Sequence, residues 1–222
     1  MTDQALIAAA FTLCARNGWR NVSPAAAARE AGIPLEQARE TFPTSLSILM
    51  RFGQLADEQA MSDALDSGPA RERLFDVVMR RVDALQQYRA GVIALLVGLP
   101  ADPATALALG IATTRSMGWM LEAAGIPSTG WRGALAAQGM TAVWAYTLRA
   151  WRTDETADLS TTMAALDRAL SQAERVACWL GTAAAAAEAG PKPFPEPDAA
   201  EAAALAGTIS AAGDAPFADP GL

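Results

Sequence analysis

The chain has 222 residues, enough for one domain with a substantial core or for a small domain joined to a larger one. Apolar residues make up 52% of it, alanine foremost, with few alternating or β-branched runs, so the expected class is all-α. It has no histidine, no Gly-rich phosphate loop, no Gly-x-Ser-x-Gly and no metal-spaced cysteine cluster, so nothing argues for an enzyme, a cofactor or a metal.

The net charge of -7 is unevenly spread. Residues 188–222 hold six acids against Lys192 alone, or -5, and the remainder carries -2. Residues 1–55 have five arginines against four acids, or +1. The most apolar run, Val92 to Leu99, falls short of the ~20 residues that span a bilayer, and no basic-then-apolar leader opens the chain. A cytoplasmic protein without stable membrane insertion is expected.

Leu6, Ala9, Ala10 and Leu13 recur at helical spacing and predict a first helix over about 3–17, closed by Gly18-Trp19. Cys14 falls on its apolar face, and Cys14 and Cys178, far apart, are expected as buried thiols. Ser23 precedes Pro24 and an alanine-rich run. A serine oxygen caps a free N–H there, and proline at the first position lacks one. Gly32 ends that run, and Pro34 opens a second short helix that closes at Phe42-Pro43. Two short helices, about 24–31 and 34–41, joined at Ala31-Gly32-Ile33, have the punctuation of a helix-turn-helix.

Ile33, Ala38 and Phe42 are expected to face inward, which leaves Leu35, Glu36, Gln37, Arg39 and Glu40 outside. In a major groove Gln37 suits adenine, Arg39 suits guanine or a phosphate, and a glutamate accepts from the cytosine amino group. The competing reading is a solvated charged face. Thr44 caps a fourth helix to about 65, and Ser67-Gly68-Pro69 breaks the chain.

The body, about 70–187, reads as five helices. The first carries Leu74, Val78, Val82 and Leu85 on one face, and the second, Ala90 to Leu99, is apolar enough to be buried on every side. Helices over about 104–124 and 130–151 follow, and a last one starts after Asp158 and ends near Gly181. Met117, Trp119, Met120, Met140, Trp144 and Trp151 gather large adaptable side chains in neighbouring helices. They read as ordinary core or as the wall of an apolar ligand pocket, for which Trp119, Met120, Met140 and Trp144 are the candidates. Stripes at Trp144, Leu148 and Trp151 and at Leu159, Met163, Leu166 and Leu170 let the last two helices cover a core or pair with a second copy. After Ala183 the sequence turns to alternating prolines and an acidic, Ala/Gly-rich end, expected to be disordered from about 189.

The frame of Leu6-Ile7, Ala9-Ala10, Leu13, Gly18-Trp19, Ser23, Ala31-Gly32-Ile33, Phe42-Pro43 and Leu49 resembles the N-terminal domain of TetR-type transcriptional regulators. Arg39 stands where that family usually has an aromatic, and Ser45 where it usually has a lysine. The resemblance implies a helix-turn-helix head (1–50), a ligand-binding and dimerisation body (51–187) and here an acidic tail (188–222). It also implies a double-stranded DNA operator, an apolar small-molecule or lipid effector, and a homodimer through the last two long helices. Ser23, Leu35, Gln37, Arg39, Thr44 and Ser45 are then the candidate DNA contacts. The body has a second resemblance, carried by Trp151, Asp154 and the Thr162, Leu166, Asp167, Arg168 set. It is similar to the lipid-binding accessory family of ubiquinone biosynthesis, which shares the TetR architecture and implies lipid presentation without DNA binding.

Overall fold

The computed structural model describes residues 2–188 apart from 63 and 66, with side chains over 3–178. The described residues hold α1 (Thr2–Asn17), α2 (Pro24–Ala31), α3 (Leu35–Thr41), α4 (Ser45–Ser62) and α5 (Ala70–Gln86). After these come α6 (Arg89–Gly98), α7 (Pro103–Ala123), α8 (Gly130–Thr153) and α9 (Ser160–Glu188), with no strand among the described residues. The chain divides into two compact units, Met1–Cys178 and Trp179–Leu222, and the packing below is that of the first. In the second, residues 179–188 are helical, and the tail expected beyond 188 lies outside the described residues.

Local chemistry accounts for the helix ends. The Ala26 N–H donates to Ser23 Oγ at 3.1 Å, and Pro24 takes the first position of α2. At its far end Gly32 adopts φ 66, a left-handed conformation that glycine takes without steric cost, and Ile33 N–H donates to Ala28 O at 2.9 Å. Thr44 and Ser47 cap α4 reciprocally: Ser47 N–H donates to Thr44 Oγ1 at 3.1 Å, and Thr44 N–H to Ser47 Oγ at 3.2 Å. Asp102 starts α7 by accepting from Thr105 N–H and Oγ1, with Pro103 in the first turn.

One contiguous apolar cluster runs from α1 to the start of α9. Leu6, Ile7, Ala10, Phe11 and Cys14 form the buried stripe of α1, and Phe11 is the centre of an aromatic group. Its ring lies 4.6 Å from Phe52 on α4 and 5.5 Å from Tyr88 between α5 and α6. Beside it α1 crosses α6 at Gly91, whose carbonyl accepts from Cys14 Sγ at 3.3 Å. The head is thus docked on the body through both α4 and α6, and α4 runs unbroken across residue 50, the expected domain limit.

Four expectations are corrected. The α6 helix is not buried on every side: Gly91, Val92 and Leu95 face in, whereas Val97 is 64% exposed. Uniform apolarity hid a one-sided contact, because no polar residue marks the outer face. Cys178 is exposed, unlike the buried Cys14, since it lies off the Ala165, Leu166, Ala169, Leu170 stripe of α9. The last helix passes Gly181 to reach Glu188, as the alanine run after Gly181 supports helix and one glycine does not stop it. Leu65 lies beyond α4, which ends at Ser62. No single helix among the described residues is long and apolar enough to cross a membrane; α6 and α7 reach that apolarity only as a pair bent by 119°.

Candidate nucleic-acid interface and the body behind it

The α2–turn–α3 unit is held from inside by Ala27, Ala28, Ala38 and Phe42, all buried, with Ile33 half-buried at the turn. This packing turns the other side of α3 to solvent. Leu35 is 47% exposed, and Glu36, Gln37, Arg39 and Glu40 are exposed with it. Arg39 makes no salt bridge among the described residues, and neither do Arg20 and Arg29, whereas Arg16 is engaged by Glu30 at 3.1 Å. Arg29, exposed on α2, was not among the sequence candidates; its exposure follows from the stripe formed by Ala27 and Ala28.

The capping residues have divided duties. Ser23 and Thr44 are exposed, and each spends its hydroxyl oxygen as an acceptor at a helix start, Ser23 for α2 and Thr44 for α4. Ser45 is half-buried and its Oγ donates to Val22 O at 2.7 Å, so its hydroxyl ties α4 to the segment before α2. What Ser45 can still offer outward is its backbone N–H at the start of α4.

Behind the head, α4 is fastened to the body by a buried ionic group. Arg81 of α5 donates to Asp57 of α4, which also accepts from Ser116 Oγ of α7. The guanidinium lies 5.0 Å from the ring centroid of Trp144 on α8. Burial pushes the Asp57 carboxyl up, against the opposing pull of Arg81 and Ser116, and burial also pushes the Arg81 guanidinium down. A guanidinium keeps its proton across the accessible pH range, so the pair is ionic. Arg81 Nε is buried without a hydrogen-bond partner.

The pocket candidates separate. Met120, Met140 and Trp144 are buried in the core, whereas Trp119 is 65% exposed, on the side of α7 opposite Met117, Met120 and Leu121. None of the four lines either of two cavities elsewhere. One is a water-sized space of about 30 Å3 between α1, α4 and α5, walled by Ile7, Phe52 and Tyr88. The other is an open groove of about 820 Å3 between α5 and the start of α9.

The residues behind the lipid-family resemblance build a joint between α8 and α9. Asp154, buried, accepts from the backbone and hydroxyl of both Thr156 and Thr162. Burial alone would raise its carboxyl, but these four donors hold it well below the usual carboxylate range. Trp151 Nε1 donates to Gln86 Oε1 at 2.8 Å under the Arg89 guanidinium, and Arg89 donates to Asp154 O at 2.7 Å. Leu159, inside this joint, sits at φ 55, a conformation costly for a leucine and fixed by the surrounding bonds.

No family model matches the chain, and no curated protein matches it. Among solved structures it is similar to the TetR transcriptional regulator from Nitrosomonas europaea ATCC 19718, with 22% identity and a TM-score of 0.62 over 78% of this chain and 98% of that one. It is also similar to a TetR-family transcriptional regulator from Streptomyces coelicolor, with 21% identity and a TM-score of 0.55 over 96% and 97% of the two chains. A TetR transcriptional regulator from Rhodococcus sp. RHA1 follows at 15% identity and a TM-score of 0.51, over 77% of this chain and 93% of that one. At such identities the likeness is one of architecture, and the chain has the all-helical fold of the TetR-type transcriptional regulators.

Proposed function

We propose that the chain is a DNA-binding transcriptional regulator that reads a double-stranded operator with α3. The observation that carries this reading is the outer face of α3, where Gln37 and Arg39 stand exposed on a helix-turn-helix braced from behind by Ala38 and Phe42. Gln37 and Arg39 read base edges, Leu35 contacts thymine methyl groups, and Ser23, Thr44 and Ser45 stand at helix starts whose uncapped N–H groups, that of Ser45 among them, meet phosphates. Arg29 adds a phosphate contact from α2. A homodimer through α8 and α9 supplies the second head. Trp131, Leu135 and Tyr146 support it, because they leave large apolar surface exposed along α8. An apolar effector in the body changes operator affinity by favouring one position of α4 over another. Met120, Met140 and Trp144 are its contacts, and Trp119, on the outer side of α7, stands apart from them.

Arg39→Ala tests the reading. Loss of one bidentate base contact weakens operator binding by about 1–3 kcal/mol, while the melting temperature holds because the side chain is exposed. Unchanged affinity would remove Arg39 from the interface.

Glu36 and Glu40, exposed on the same face, favour a second reading, in which the fold presents an isoprenoid lipid to biosynthetic enzymes and no longer binds DNA. In that case protein from its host carries an apolar molecule visible by mass spectrometry.

A further inference from the structure

The α5 helix has two working faces. Leu74, Val77, Val78 and Val82 lie in the core, and the opposite stripe, from Arg71 to Asp83, forms one wall of the 820 Å3 groove. Its apolar lining is made by Phe75 and Met79 from α5, Leu159 just before α9, Met163 in the first turn of α9, and Leu65. Phe75, Met79 and Met163 are only half-buried, and Leu65 is 45% exposed. The volume falls within the roughly 300–1,000 Å3 of ordinary small-molecule sites.

The rim is charged almost entirely one way. Glu72, Asp76, Asp83, Asp158 and Asp167 surround the apolar floor, against Arg71 alone. Asp167 is paired with Arg71 at 2.7 Å and Asp76 with Arg80 at 2.9 Å. Glu72, Asp83 and Asp158 have no salt bridge among the described residues. We propose that this groove binds an amphiphilic cation, a small molecule with an apolar chain or ring system ending in a substituted ammonium.

The two halves of the site demand both halves of that ligand. A neutral apolar molecule would cover the floor but strip water from unpaired carboxylates, and an anion would be repelled outright. Residues 188–222 carry -5 and are repelled for the same reason. The ammonium sits at Glu72 with Phe75, one turn along α5, offering a ring face, and the apolar body lies along Met79, Leu159 and Met163. The groove also borders the exit of α4: Leu65 N–H donates to Asp76 Oδ2 at 3.3 Å. In that one respect the site deepens the regulator reading, because a cation drawing on Asp76 reaches the segment that follows α4. Binding itself does not depend on DNA.

Calorimetric titration of the full chain, without DNA, tests the proposal with decyltrimethylammonium below its critical micelle concentration and decanoate as the opposite-charge control. Saturable binding of the ammonium, at least about 10-fold tighter than decanoate and weakened by salt, is expected. Glu72→Gln, at an exposed position, lowers ammonium affinity about 10-fold with the melting temperature held, and Phe75→Ala lowers it separately. Equal affinity for the two amphiphiles, or an unchanged affinity in the carboxamide variant, overturns the proposal. So does a change of oligomeric state in that variant by ultracentrifugation without ammonium binding to the parent, which would make the groove a contact between copies. Failure of operator binding leaves these outcomes untouched and so is separable.

Discussion

A Gly91→Ala chain unfolds at markedly lower denaturant than its parent, with a loss of about 3 kcal/mol, at the upper end of the range for overpacking a core. A Cβ at that position would stand 2.4 Å from Phe11 O and 2.9 Å from Phe11 C, and also 2.8 Å from Phe11 Cβ. The first two are backbone atoms and cannot turn aside, so α1 and α6 must separate. Alanine is the better helix former by up to about 1 kcal/mol, and at Gly91 that gain is outweighed. Gly98, at the end of the same helix, has nothing within 4 Å of its added Cβ. Gly98→Ala should therefore leave stability level or slightly raised. Equal behaviour of the two variants in urea melts would show that the α1–α6 crossing is looser than described.

Asp57→Ala has the second large effect, about 3–5 kcal/mol of destabilisation, because it strands the Arg81 guanidinium, whose side chain is 7% exposed, without a counter-ion. The companion double variant, Asp57→Leu with Arg81→Met, replaces the pair by apolar groups and recovers most of that loss. A double-mutant cycle by chemical denaturation separates the coupling from the cost of the orphaned charge. Additive losses would mean that the pair is not a unit. The pair matters beyond stability because Asp57 belongs to the helix that starts at the head, so a shift of α4 must stretch a buried ionic contact or carry α5 and α7 along.

The head was legible because its signals are local. Ser23-Pro24, Gly32 and Phe42 are each decided by the geometry of a few neighbouring residues, and the observed helices fall within a residue of the expected ones. The outward turn of Leu35, Gln37 and Arg39 followed from the inward turn of Ala38 and Phe42. The body was legible as helices and less so as contacts. Trp119 stands beside Met117 and Met120 in sequence but about a third of a helical turn from Met120, which puts it outside while they lie inside. No residue near Asp57 announces Arg81 or Ser116, which meet it from two other helices. The Trp151, Asp154 and Thr162 set was visible as a pattern, yet its role is a hydrogen-bonded joint, intelligible only once four donors are seen to converge on one carboxylate. The groove escaped for the same reason, since α5 and the start of α9 are remote in sequence and only packing sets Phe75 and Met163 on one floor.

Fluorescence anisotropy of the purified chain with labelled duplex from upstream of its own coding sequence, across a salt series, tests the central claim most directly. The account predicts tight, sequence-selective binding that falls linearly in log affinity against log salt, as cationic contacts by Arg29 and Arg39 from each head require. Absence of binding at low salt, where even weak electrostatic contacts register, would contradict it and leave the helix-turn-helix as scaffold.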